Sequence, residues 1–191
     1  HQLSLYWRPA QSGWQWGISL LESDFSYDSA EQDYYFDGGI TVQRVMANFR
    51  YAAEFWELSG EWVQERMSIY DFFAPGFRRG SFSQGWYVQG RYQWLDQSWL
   101  SLTYDNFDLD KDNRSGSNFP LSTGGLVPAY FGYQNDLSLG LSIDLDDNLR
   151  LMLEHHWVDG TARLAYPVLP DIQHNTEEHW KLWALQLMYW F

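Results

Sequence analysis

The chain has 191 residues, no cysteine, a formal net charge of −13 and a mean hydropathy of −0.46, although 19% of its residues are aromatic. Without cysteine there is no disulfide framework and no thiolate metal site, and so acidic a chain lacks the basic footprint that nucleic acid requires. No run approaches the about 18 consecutive apolar residues of a membrane-spanning helix, and the opening "HQLSLYWRPA" has neither the basic n-region nor the apolar h-region of a signal peptide.

In chain order, the hydrophobic residues recur at every second position, the period of a strand with one apolar face. "LSLYWRP" places Leu3, Leu5 and Trp7 opposite Ser4, Tyr6 and Arg8. "WQWGISL" sets Trp14, Trp16, Ile18 and Leu20 against Gln15, Gly17 and Ser19. From Glu22 to Asp37 follow six acidic residues and no Lys or Arg, the composition of a solvated loop. Residues 40–51 put Val45, Ala47, Phe49 and Tyr51 against Arg44, Met46, Asn48 and Arg50. "FWELSGEW" opposes Trp56, Leu58 and Trp62 to Glu57, Ser59 and Glu61. "WYVQGRYQW" opposes Trp86, Val88, Tyr92 and Trp94 to Tyr87, Gln89, Arg91 and Gln93. Leu100, Leu102 and Tyr104 face away from Ser101, Thr103 and Asp105, and "LSLGLSIDL" is strictly alternating from Leu137 to Leu145. Leu149, Leu151, Leu153 and Trp157 alternate with Arg150, Met152, Glu154 and His156 before the closing "HWKLWALQLMYWF".

Nine strands, most of about 8–13 residues, and no helical period make the chain all-β. Short connections near 9–13, 51–54, 95–98 and 146–148 alternate with long ones near 22–37, 67–83, 106–130 and 159–178. All tight turns then lie at one end of the sheet and all long loops at the other, as in an antiparallel up-and-down barrel. Trp and Tyr sit near strand ends on the apolar faces, while charges occupy mid-strand on the opposite faces, which suits a transmembrane barrel with a wet interior. A soluble sandwich or small soluble barrel is the weaker alternative. The expected lumen lining is Arg8, Arg44, Arg50, Glu57, Glu61, Arg91, Asp105, Asp144, Arg150, Glu154 and His156. Such charges either set a transverse field across a pore or pair across strands and stabilise the wall.

The final strand, with Trp183, Leu185, Leu187, Tyr189 and Phe191 at alternate positions, resembles the terminal strand of bacterial outer-membrane β-barrels. The resemblance implies that these residues form the signal read by the barrel assembly machinery, with Phe191 on the periplasmic side. Counting back places the long loops outside and His1 at the extracellular end, so a nine-strand reading expects 1–191 to be one barrel domain incomplete at its N-terminus. Roughly residues 84–191, through "GWYVQGRYQWLDQSWLSLTYDNF" and "YQNDLSLGLSIDLDDNLRLMLEHHW", resemble the porin superfamily that includes the phosphate-selective porins. That resemblance implies a bacterial outer-membrane channel, often trimeric, passing small hydrophilic solutes by diffusion among outer-membrane lipid and lipopolysaccharide. Phosphate selectivity is not carried over, because a basic lumen ladder is missing: the only lysines are Lys111 and Lys181. A barrel that sheathes a partner protein is the second functional expectation.

Other chemistry is sparse, and no enzyme is expected. Asp108, Asp110 and Asp112 in "DLDKDNRSG" have the spacing of half a Ca²⁺ loop, but Phe119 stands where the bidentate Glu belongs, which favours an ordinary solvated loop. "EHHWVDG" places His156 on the lumen face, Asp159 near the rim and His155 toward lipid, without a third catalytic partner. Arg78 and Arg79 suit either a loop folded into the pore or one binding lipopolysaccharide phosphates.

Overall fold

The computed structural model describes residues 1–164 and 177–191. Nine strands form one antiparallel sheet in sequence order: β1 (Gln2–Trp7), β2 (Trp14–Tyr27), β3 (Gly38–Ala52), β4 (Trp56–Tyr70), β5 (Arg78–Leu95), β6 (Ser98–Asp108), β7 (Tyr133–Asp146), β8 (Leu149–Gly160) and β9 (His179–Tyr189). The sheet is not closed, and β1 and β9 are its two edges. The up-and-down order is present, but the connection expected over 67–83 is reduced to residues 71–77, and most of the one expected over 159–178 lies outside the described residues. The β6–β7 connection also carries one turn of helix, α1 (Asn118–Ser122), and a 3₁₀ turn (Ala129–Phe131), where the sequence shows no helical period.

Strands β2 to β5 and β7 are longer than their apolar alternation suggests, reaching 18 residues in β5. Glu22 and Asp24, expected in a solvated loop, are therefore strand residues, paired in register with Gln43 and Thr41. The reason is that the two faces exchange chemistry toward the long-loop end. On β2–β4 the face that is apolar lower down carries Glu22, Asp24, Gln43, Gln64 and Arg66, and the opposite face carries Phe25, Ile40, Val42, Met67 and Ile69. Over them lies an aromatic cluster, Tyr27–Phe72–Tyr35 with Phe73 and Phe77, at centroid distances of 4.6–5.4 Å.

There is almost no core. Among the described residues Val158 is the one buried hydrophobic side chain, whereas Leu5, Trp183, Leu185 and Leu187 are each more than 60% exposed. A chain with this much apolar surface cannot be stabilised by internal packing alone; its hydrophobic face needs an apolar medium outside the chain.

The apolar residues form a belt oblique to the hydrogen-bonded rows. Trp14 at the lower end of the belt on β2 lies in one row with Tyr51, Leu58, Gly90, Leu102, Leu139, His155 and Trp183. Trp183 is the upper end of the belt on β9, since Lys181 and His179 follow above it. Across seven strand steps, about 34 Å, the belt slips by six residues, about 20 Å, so the strands lean about 30° from its normal. Such a lean is what a transmembrane barrel imposes on its strands.

Aromatic rings collect at both edges of the belt. Near the short turns Trp16, Trp14, Tyr51 and Trp56 form a chain of contacts at 4.8–5.2 Å. Near the long loops Trp86 meets Tyr104 at 5.5 Å, and His155 lies between Trp157 at 4.2 Å and Trp183 at 4.0 Å. His155 thus stands on the apolar face, as the alternation predicts.

Candidate pore-lining face

The face opposite the belt gathers nearly all of the lumen residues expected from sequence. Strand pairing puts oppositely charged side chains directly or diagonally across from each other. Arg44 is paired with Glu65 on the neighbouring strand. Glu57 lies between Arg50 (2.7 Å) and Arg91 (3.6 Å), and Arg91 stacks over the Trp99 ring at 5.0 Å. Arg150 holds Asp144 through Nε at 2.5 Å and Nη2 at 3.2 Å. Most of the expected arginine row is therefore neutralised within the wall. Arg8, just beyond β1, has no ion pair among the described residues.

A different row carries uncompensated charge. Asn48, Glu61, Tyr87, Asp105 and Asp136 are consecutive register partners across β3–β7, and Glu154 stands nearby on β8. Asp105 and Asp136 face each other directly, a repulsive arrangement without a cation. The groups that face these carboxylates come from two places. His156 Nδ1 lies 2.8 Å from Asp136 Oδ2, with its Nε2 3.7 Å from Glu154. Arg163, in the segment after β8, grips Asp105 with Nη1 at 2.5 Å and Nη2 at 3.1 Å and stacks over Phe107 at 5.2 Å. Its own N–H donates to Gln134 Oε1 (3.1 Å), and Thr161 N–H donates to the Tyr130 carbonyl (2.9 Å). A piece of a long loop is thereby laid onto the charged wall. Four carboxylates meet one guanidinium and one imidazole in this zone.

Sequence reading identifies Glu61, Asp105, Glu154 and His156 in this zone but not Asp136 or Arg163. Asp136 was available from parity, being in phase with Ser138, Gly140 and Asp144; Arg163 lies beyond any strand pattern.

The remaining candidates fall elsewhere. Asp108, Asp110 and Asp112 do not converge on one point: Asp108 is buried with Arg114 Nε 3.7 Å away, and Asp110 Oδ1 accepts the Asp112 N–H at 3.0 Å. The Ca²⁺-like spacing folds as a hydrogen-bonded loop. Among the described residues the group whose ligand atoms lie within 4.8 Å of one another is Asp159, Glu178 and His179, at the long-loop end of β8 and β9, and it could hold a divalent ion. Arg78 and Arg79 begin β5 in register with Tyr70 and Ile69, so alternation sends them to opposite faces. In the acidic loop before β3, Asp33 accepts from the Tyr27 hydroxyl (2.5 Å) and the Ala30 N–H (2.8 Å), which holds its carboxyl below the usual range. Asp37 is lowered likewise by the hydroxyl and N–H of Ser29.

No protein-family model matches the chain. No curated protein matches it. Among solved structures it is similar to "Outer-membrane expressed OmpT of Vibrio cholerae", with a TM-score of 0.56 at 10% sequence identity over 99% of this chain. The chain spans 64% of the length of that protein. At such low identity the likeness shows the fold alone: the nine strands follow the antiparallel up-and-down arrangement of that protein's β-barrel, in a sheet that is not closed.

Proposed function

We propose that the chain is the wall of a bacterial outer-membrane channel for passive diffusion of small hydrophilic solutes and ions, with a weak preference for cations. The observation that carries this reading is the division of the sheet. One face is a tilted apolar belt edged with aromatics; the other is mainly polar opposite the belt, with Met46, Met152 and Met188 among its polar residues, most of its arginines paired and a carboxylate zone at Glu61, Asp105, Asp136 and Glu154. Lipid solvates the first and water the second. Its partners in this reading are outer-membrane lipid, the assembly machinery that reads the terminal strand, and further copies of the chain in a trimer.

The apolar patch on the polar face, Phe25, Ile40, Val42, Met67 and Ile69, favours a second reading in which the barrel sheathes a partner protein at its long-loop end. A wall that met only water would have no use for such a patch.

Planar-bilayer recording of the native protein in a salt gradient separates the two. Discrete conductance steps with a reversal potential of cation-preferring sign support the channel; silence from protein shown to be inserted and folded supports the sheath.

A further inference from the structure

On the polar face Arg44, Arg50, Arg91, Arg150 and Arg163 each have an acidic partner. On the other face, just above the apolar belt, Arg66 and Lys111 have no ion pair among the described residues. Both flank one ring. Arg66 is the register partner of Phe82, and Lys111 places Nζ 4.0 Å from the Phe82 ring centre while donating its N–H to the Phe82 carbonyl at 2.8 Å.

Beside Phe82 runs an open groove of about 510 Å³, whose lining includes Leu3, Leu20 and Val45, the upper end of the apolar belt on β1–β3. Gln43 and Gln64 edge it, and Glu22 at the rim is engaged by the Gln43 amide at 2.9 Å. The groove therefore joins an apolar floor, continuous with the belt, to an amide rim with Arg66 in its lining, and Lys111 stands beside it over the Phe82 ring. Arg66 and Lys111 stand on either side of one ring at the belt boundary, a placement that suits a fixed anion there.

We propose that this groove binds the phosphorylated headgroup of an outer-leaflet lipid, with an acyl chain along Leu3, Leu20 and Val45 and a phosphate between Arg66 and Lys111. The guanidinium offers a two-pronged contact to phosphate oxygens and the ammonium a point charge, a pairing that selects phosphate over a neutral sugar headgroup. This site rests on the reading that the apolar belt meets lipid and places its upper edge at the leaflet surface.

The test uses the purified protein in detergent with bisphosphorylated lipid A as the probe, bound lipid being counted by native mass spectrometry. Wild type is expected to retain it, and R66Q/K111Q to bind it more weakly by on the order of tenfold. The control R79Q, which loses one positive charge on the opposite face, is expected to bind as wild type. Equal binding by wild type and R66Q/K111Q, equal binding of lipid A stripped of its phosphates, or complete displacement by millimolar inorganic phosphate would each overturn the lipid site, the last by revealing a free-anion site. Flotation with liposomes accompanies these measurements. Protein that floats but shows no R66Q/K111Q effect overturns this site alone, whereas protein that does not float overturns the channel reading beneath it.

Discussion

Arg163 binds Asp105 through both terminal guanidinium nitrogens, Nη1 at 2.5 Å and Nη2 at 3.1 Å, and so ties the segment after β8 to the polar face. The pair is part-exposed, so its contribution to stability is small, on the order of 0–1 kcal/mol. Its larger effect is on the field. Without Arg163, Asp105 faces Asp136 with only His156 nearby. In R163Q the cation-to-anion permeability ratio should rise roughly twofold with little change in melting temperature, as read by reversal potential and thermal denaturation.

Phe191 is fully exposed, and its nearest ring, Tyr189, is 6.4 Å away. Deleting it removes nothing the fold depends on. If it is the assembly signal, the deletion leaves refolding in detergent and the melting temperature unchanged while lowering the amount assembled in the outer membrane of cells. Measuring both in parallel separates signal from structure, since a structural residue would move both.

Gly160 closes β8 at φ +89°, where a Cβ would stand 2.1 Å from the Tyr133 carbonyl oxygen. Its N–H donates to the Glu178 carbonyl (2.7 Å), and its own carbonyl accepts from Trp180 Nε1 (3.0 Å), so the position joins β7, β8 and β9. Gly160→Ala should destabilise the protein by about 2–3 kcal/mol through backbone strain and displacement of Tyr133. Urea unfolding in lipid or detergent checks the value.

The loop over 28–37 should respond to acid. Asp33 and Asp37 are lowered by hydrogen bonds from Tyr27, Ala30 and Ser29, so their contribution is present above the unfolded carboxylate value of about 3.9 and lost as pH falls through the folded values. Tyr27 is raised, first by its bond to Asp33, so its share persists below about pH 10 and is lost as pH climbs through the folded value. Amide exchange across 28–37 should be flat from pH 5 to 9, after correction for intrinsic rates, and protection should fall at pH 3.

The strands were legible because the belt demands strict alternation, and where that demand ends so does the signal. Leu137 to Leu145 reads without ambiguity, yet β2 continues from Leu20 through Glu22 and Asp24 with its faces exchanged, and there the sequence resembles an acidic loop. The placement of Arg44, Arg50, Glu57 and Arg150 on one polar face also followed from parity. Their mutual pairing did not, because register across strands depends on turn geometry and bulges, such as those at Gln93/Leu95 and Asp144/Asp146. Arg163 and the Asp159–Glu178–His179 group arise from loops, whose positions no period encodes.

The absence of cysteine in the chain makes the central claim, lipid on one face and water on the other, directly measurable. Single cysteines at Leu137, Ser138, Leu139, Leu141 and Ser142 of β7 would carry nitroxide labels in liposomes, and collision with oxygen and with a water-soluble nickel complex would be recorded at each. The account predicts strict alternation: Leu137, Leu139 and Leu141 favour oxygen, Ser138 and Ser142 favour nickel. Equal accessibility at neighbouring positions, or nickel preference on the leucine side, would contradict it.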